Sequence, residues 1–216
     1  VGCGRVGQKR ASSLAGCRLV ACADISAERA EALAQIVPGA DPSTDWRSVV
    51  TRKDVNIVIV ATSNNSLAEI TLAAVSSGKH VLVEKPAARR AAELDPVMQM
   101  VKRKNVLVRV GFNHRYHPAL CQAKELCASG AVGELMYGHG GRAGYEKEWR
   151  ANPDFAGGGE LIDQGVHLID LARWFLGNFV AVEGFASTYY WDMAVEDNGF
   201  MLLKTARAQA AFLHAS

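Results

Sequence analysis

Short apolar runs rich in β-branched residues alternate with amphipathic stretches over the first half of the chain. The apolar runs predict strands at 18–23, 56–62, 80–84 and 106–111. The stretches between them have helical periodicity and predict helices at 26–36, 66–77 and 91–104. Strands that alternate with helices are typical of a parallel sheet wrapped by helices.

The pattern changes after Phe112. Two long helical patterns, at 117–129 and 160–176, precede three strand runs that no helix separates, at 180–188, 199–205 and 209–214. Strands joined without helices indicate an open, mainly antiparallel sheet. We therefore predict an α/β protein of two domains, 1–112 and 113–216.

Composition places the chain among ordinary globular proteins, with 49% hydrophobic and 21% charged residues. The 24 Lys and Arg residues are scattered and nearly balance 22 Asp and Glu, so we expect no nucleic-acid partner. No apolar run approaches the roughly 20 residues of a spanning helix, so we expect no membrane association. Five cysteines without a CxxC pair indicate reduced thiols and a cytoplasmic location.

A glycine-rich motif opens the chain and fits GxGxxG at the start of a helical segment. Its glycines allow the tight turn and the close approach of a pyrophosphate, while the helix N-terminus attracts the negative charge. Asp24, twenty residues past Gly4, follows a predicted strand and can accept hydrogen bonds from a ribose diol. A carboxylate there would repel a 2′-phosphate, which favours NAD over NADP. The alternative is a glycine-tightened loop beside a surface carboxylate. The residues predicted to bind the cofactor here are Gly2, Gly4, Arg5, Val6, Gly7 and Asp24.

The strand that should lead into this glycine turn is missing from the chain. In a doubly wound sheet that first strand lies at the centre, and its loss would expose both of its neighbours. We therefore expect residues upstream of Val1, and we also expect the second domain to be truncated at its C-terminus.

Two further turns follow predicted strands, at the sheet edge where ligands bind in open α/β folds. Thr62 and Asn64 lie in the first and are expected to line the cofactor, although Ser or Asn there can also cap the next helix. Lys85 lies in the second, after Glu84. Its ammonium could hold a nicotinamide ribose and favour a developing alkoxide, whereas lone lysines after strands are usually solvated.

The helical pattern at 160–176 carries one polar edge on an otherwise apolar surface. Asp163, His167, Asp170 and Trp174 fall within about 60° of one another on a helix. Histidine can accept a proton from an alcohol near neutral pH, and Asp163 could orient it. Two alternatives stay open: a core histidine satisfied by an aspartate, and a metal site formed by Asp163, His167 and Asp170.

Together these segments resemble the Gfo/Idh/MocA oxidoreductases, which include glucose-fructose oxidoreductase and inositol dehydrogenase. The resemblance covers nearly the whole chain in the family's order. The segments that carry it are 2–7, 73–86 with Glu84-Lys85-Pro86, 111–118 and 157–177.

The resemblance implies a Rossmann domain followed by an α/β domain whose open sheet mediates homodimer or homotetramer contacts. It implies that Lys85, Asp163 and His167 act at the substrate carbon. It also adds Glu84, Lys85 and Asn113 to the cofactor site. The substrate site that it implies comprises Lys85, Arg115, Trp149, Arg150, Asp163 and His167.

The resulting hypothesis is an NAD(P)-dependent dehydrogenase that moves hydride between nicotinamide and a secondary hydroxyl. Its substrate would be a sugar, a sugar nucleotide or a cyclitol, and its cofactor NAD, with NADP less favoured and no metal required. One alternative is an NAD-binding sensor, or a decayed fragment of such an enzyme, without catalysis. Another is a metal-dependent hydrolase that uses Asp163, His167 and Asp170.

Overall fold

The computed structural model describes residues 1–14, 16–131 and 149–216, together with the backbone of Tyr137–Gly141. These residues form two compact units, Val1–Gly111 and Phe112–Ser216. Among the described helices, none combines the length and the apolar character that crossing a bilayer requires.

Helices and strands alternate along the first unit, and every strand pair in it is parallel. This arrangement confirms the predicted Rossmann-type α/β fold. The elements in chain order are α1 (Arg5–Ala11), β1 (Ala21–Ala23), α2 (Ala27–Ile36), β2 (Asp41–Ser43), α3 (Trp46–Val50), β3 (Ile57–Val60), α4 (Asn64–Ser76), β4 (His80–Val83), α5 (Asp95–Lys104) and β5 (Val108–Val110).

The strands of the first unit form two sheets, β1-β2 and β3-β4-β5. The glycine turn connects their ends: the N–H of Gly2 donates to Ala23 O at 2.8 Å, and the N–H of Ala61 donates to Val1 O at 2.8 Å. Within the described residues no strand is hydrogen-bonded between β1 and β3. Ile57, at the start of β3, is 52% exposed.

The core of the first unit lies between β3, β4 and α4. Val58 and Val60 are buried on β3, and Leu67 and Ile70 of α4 pack against them. The face of β3 that carries Val58 and Val60 is buried, whereas Ile57 and Ile59 on the other face are exposed and half-buried. The core therefore fixes the ends of β3 and β4, where the predicted ligand-binding turns begin.

The second unit has helices first and a sheet afterwards, as the pattern predicts. The elements are α6 (Pro118–Ala128), β6 (Tyr137–Gly141), α7 (Pro153–Ala156), a π-helical turn (Leu161–Gly165), α8 (Val166–Leu176), β7 (Phe179–Ser187), β8 (Asn198–Thr205) and β9 (Ala210–Ala215).

The sheet of the second unit has the order β6-β9-β8-β7. Its β7-β8 and β8-β9 pairs are antiparallel, which confirms the predicted sheet. The pair β6-β9 is parallel, a feature that the sequence pattern does not predict. One face packs Met201, Leu203 and Leu213 against Leu168 and Ala172 of α8. The opposite face is not covered by α8.

The predicted single helix at 160–176 is wrong in its first turn, because Leu161–Gly165 forms a π-helix before α8 begins. A Cβ atom at Gly165 would lie 3.2 Å from Leu161 Cδ2, so glycine relieves crowding inside this wide turn. The prediction that these polar side chains share one edge of a regular α-helix is therefore wrong in this turn, since an extra residue per turn changes the angle between Asp163 and His167.

Candidate active site

In the glycine turn before α1, two glycines are required by packing within the protein and one leaves space for a ligand. Gly2 has φ +89°, and a Cβ atom on it would overlap the carbonyl of Ala61. A Cβ atom on Gly7 would overlap the carbonyl of Gly2. At Gly4, by contrast, a Cβ atom would meet nothing within 4 Å. Packing thus requires Gly2 and Gly7, while Gly4 leaves open space at the start of α1, which suits a pyrophosphate.

Asp24 lies directly after β1 and is fixed beside this turn. Its Oδ2 accepts the N–H of Cys3 at 2.8 Å and its Oδ1 accepts the N–H of Ser26 at 3.0 Å. Each carboxylate oxygen has a second lone pair that can accept a ribose hydroxyl. The residues present therefore fit an NAD molecule, with the pyrophosphate at Gly4 and the adenosine ribose at Asp24.

The turn after β3 serves the helix that follows it. Ser63 occupies the N-cap position of α4 with an extended backbone, and its hydroxyl donates to Asn65 Oδ1 at 2.7 Å. The Ser66 hydroxyl donates to that of Thr62 at 2.8 Å, and Asn64 is buried at the start of the helix. Ser63 therefore occupies the N-cap position without a side-chain capping hydrogen bond, and the cofactor-lining role of Thr62 and Asn64 stays a prediction.

Glu84 and Lys85 follow β4, and the Lys85-Pro86 peptide bond is cis. The Glu84 carboxylate accepts Nε–H of Arg10, a residue of α1, at 2.6 Å. A Cβ atom at Gly111 would come within 3.2 Å of both side chains. This ion pair joins the glycine-turn helix to the segment that holds Lys85. Arg10 is a residue that sequence reasoning missed, because its partner lies 74 positions away.

His167, the predicted proton acceptor, is buried in the second unit and is 6% exposed. Its ring stacks on that of His114, with centroids 4.1 Å apart and planes inclined by 16°. Phe112 packs edge-on against the same ring at 6.1 Å. The imidazole of His167 is thus held by aromatic contacts from the segment that begins this unit.

Two of the predicted substrate residues of this unit, Arg115 and Arg150, form ion pairs with the same helical segment. Arg150 Nε lies 3.6 Å from Asp163 Oδ2, and the Arg150 guanidinium lies 5.1 Å from the centre of the Trp149 ring. Arg115 donates from Nε and Nη2 to the two oxygens of Asp170, both at 2.6 Å. Asn113, which begins the same short helix as Arg115, is exposed.

The ion pair of Asp170 with Arg115 bears on two interpretations of the polar side chains at 160–176, a substrate site and a metal site. The hydrogen bonds that Arg115 donates to Asp170 raise the pKa of Arg115, so the guanidinium stays charged and its direction is fixed. Across the described part of the chain, no group of three or more His, Cys, Asp or Glu side chains is arranged to hold a metal ion. The Arg115 guanidinium engages both oxygens of Asp170, which is one of the three residues of the alternative metal site.

Glu196, just before β8, holds the N-terminus of the helical segment that carries Asp163 and His167. Its carboxylate accepts the N–H of Gly159 at 2.9 Å and of Leu161 at 3.2 Å. Its own carbonyl accepts the N–H of Glu160 at 2.9 Å. Negative charge at this end of a helix is favourable. No local pattern could reveal this contact, since Glu196 lies 35 or more positions along the chain.

The geometry thus brings Trp149, Arg150 and Asp163 together and places His167 against His114 within the second unit. It fixes Gly4 and Asp24 side by side in the first. The joint action of Lys85 and His167 on one substrate stays a prediction.

Two family models match the chain. Residues 1–112 match "Oxidoreductase family, NAD-binding Rossmann fold", and residues 120–216 match "GFO/IDH/MocA C-terminal domain".

Curated relatives and solved structures agree with these matches. A levoglucosan dehydrogenase of Pseudarthrobacter phenanthrenivorans is 36% identical over 76% of this chain and 44% of the relative. An inositol 2-dehydrogenase of Gluconacetobacter diazotrophicus is 34% identical over 85% of this chain and 55% of the relative. A solved levoglucosan dehydrogenase in complex with NADH is 28% identical with a TM-score of 0.91, over 99% of this chain and 64% of that one. The chain spans about half the length of the curated relatives it matches.

Proposed function

Since this chain belongs to the Gfo/Idh/MocA oxidoreductase family, we propose that it is an NAD-dependent dehydrogenase acting on a secondary hydroxyl of a sugar or cyclitol. The observation that carries the proposal is the buried His167, stacked on His114 on a helical segment that also bears Asp163. The same chain also contains the glycine turn and Asp24, which fit NAD.

Each residue of the proposed site has a distinct task. His167 accepts the proton of the substrate hydroxyl, because an imidazole can take up and return a proton near neutral pH. The Lys85 ammonium stabilises the negative charge that develops on the oxygen. Asp163, oriented by its ion pair with Arg150, favours the charged imidazole. When bound, NAD supplies the carbon that accepts the hydride.

Asp24 supports NAD as the cofactor, with NADP disfavoured. Its carboxylate is held by the N–H groups of Cys3 and Ser26, so it cannot easily turn away from the adenosine ribose. A 2′-phosphate there would meet a fixed negative charge. Thr62, Asn64, Glu84 and Asn113 complete the proposed cofactor site.

The proposed substrate is a polyhydroxylated ring, which the names of levoglucosan and inositol dehydrogenases support. Trp149 and Arg150 are proposed to contact it, because a flat indole and a guanidinium next to Asp163 suit a ring with many hydroxyl groups. Arg115 borders the same helix through Asp170 and is proposed to line the pocket.

We also propose that the protein forms a homodimer or homotetramer through the open face of the second unit's sheet. Phe185, Phe200, Phe212 and His214 project there and are called the aromatic face below; Phe185 and Phe212 are 58% and 54% exposed. A contiguous exposed apolar patch favours association. All five cysteines are free, which supports a reducing, cytoplasmic location.

The function is tested by NADH formation when NAD or NADP is offered with a panel of levoglucosan, free sugars, inositols and nucleotide sugars. We expect turnover with NAD. His167→Ala should lower that turnover by about two to four orders of magnitude while NADH binding, followed by its fluorescence, survives. The exposed His117 gives a control, and His117→Ala should leave turnover unchanged. NADH binding without turnover on any substrate would instead favour a sensor.

A further inference from the structure

Two imidazole rings lie face to face at the proposed proton acceptor, and the proposed mechanism uses only one of them. His114 is in the short helix Asn113–Tyr116, and its ring centre lies 4.1 Å from that of His167 with nearly parallel planes. At this separation two positive rings would repel each other strongly, so the second proton binds to the pair much less readily than the first.

The difference in burial favours His114 as the ring that is charged first. His167 is 6% exposed and packs edge-on against Phe112, whereas His114 is only partly buried. A positive charge costs less where water can reach it, so His114 is the better site for the first proton.

The charged side chains on the same segments leave this preference in place. Asp163, which favours a charged His167, is itself paired with Arg150, and Asp170 is paired with Arg115, so both carboxylates are partly offset by a guanidinium. The third carboxylate of the segment, Glu160, is fully buried at its start. Of the side chains named here, the imidazoles are the type whose unperturbed pKa lies nearest to neutral pH, so the stacked pair is where we expect a change of charge.

We propose that His114 is a positioning residue that takes the first proton of the stack as the pH falls and thereby keeps His167 neutral and able to accept a proton from the substrate. This inference rests on the proposed role of His167. Its consequence is activity that extends to lower pH than a lone histidine would allow.

The test measures kcat/KM as a function of pH in wild type, His114→Phe and His114→Arg. The acidic limb, where kcat/KM falls as the pH is lowered, is compared among the three. Phenylalanine keeps the stacked ring but cannot bind a proton, so the acidic limb should move to higher pH by about half a unit or more. Arginine places a permanent positive charge next to the ring of His167, so the acidic limb should lie at the wild-type pH or lower. His117→Phe, at an exposed histidine three positions along, should leave the limb where it is.

A second measurement does not need turnover. In protein labelled with ¹³C at histidine, the titration midpoint of the His167 ring should rise in His114→Phe, and the wild-type rings should titrate in two coupled steps. Superimposable acidic limbs, or an unchanged His167 midpoint in His114→Phe, would overturn the inference and leave the dehydrogenase function standing. Absence of turnover in wild type would count against the function alone, and the titration would still decide the role of His114.

Discussion

Gly159 has no side chain, and this allows the backbone of Glu196 to pack directly against the start of the proposed active-site helix. A Cβ atom there would overlap the backbone of Glu196, the residue that caps the helical segment bearing His167. We predict that Gly159→Ala lowers the free energy of unfolding by about 1–3 kcal/mol, because the capping segment must move away. Urea unfolding measures the loss. Gly158→Ala is the matched control, since its Cβ would make ordinary contacts of 3.5 Å or more. Equal losses in the two variants would contradict the explanation.

At the scale of residues, the sequence identifies groups by chemistry and local position but not by their distant partners. Lys85 follows an apolar strand, and His167 lies on the polar edge of a helical pattern, so both can be predicted. Arg10, His114 and Glu196 escape prediction because each acts through a contact with a remote segment. Only the folded chain brings those segments together.

The turn between β7 and β8 is organised by one buried carboxylate. Asp197 is 3% exposed and accepts the N–H groups of Tyr189, Tyr190 and Trp191 at 2.8, 2.7 and 2.8 Å. Burial alone would raise the pKa of Asp197, but the hydrogen bonds from Asn198 and from these three N–H groups outweigh it and lower the pKa. The carboxylate therefore stabilises the folded state in its charged form.

We predict that Asp197→Asn destabilises the protein by about 1–3 kcal/mol at pH 7, because an amide offers one acceptor oxygen where the carboxylate offers two. Since the folded-state pKa lies below the unfolded value of about 3.9, this contribution is complete above that pH and is lost as the pH falls further. Urea unfolding at pH 7 and at about pH 3 should therefore give a smaller difference at the lower pH. Asp192→Asn, an exposed neighbour in the same turn, serves as control. A difference that persists unchanged in acid would refute this account.

At the scale of elements, prediction succeeds where one pattern dominates and fails where a short or irregular element depends on its neighbours. The apolar run of β3 and the alternation of β8 are readable in the sequence. The short β2 contains Pro42, which strand patterns disfavour, and it is tolerated at the edge of its sheet. The π-helical turn Leu161–Gly165 has the same apolar spacing as an α-helix, so only backbone geometry distinguishes it.

At the scale of the whole molecule, each unit holds a distinct share of the proposed chemistry. The first presents the glycine turn, Asp24 and Lys85, and the second presents Asp163 and His167. Fold class and family could be predicted because the motifs occur in the family's order along nearly the whole chain. Association between copies could not be derived from these motifs, because it depends on which apolar surface the folded sheet leaves uncovered.

The aromatic face gives that association a direct test. We predict that the double variant Phe185→Asp and Phe212→Asp shifts an oligomer to monomer, because two carboxylates would have to be buried unpaired at the contact. Light scattering coupled to size-exclusion chromatography measures the mass. Val182 is the matched control: it lies on the same strand and is 67% exposed, but it is paired with Leu203 and projects from the other face. Val182→Asp should therefore keep the wild-type mass. A monomeric wild-type protein would exclude the aromatic face as the contact. So would a Val182→Asp variant that dissociates as fully as the double variant, since only a charge placed on the aromatic face should separate the copies.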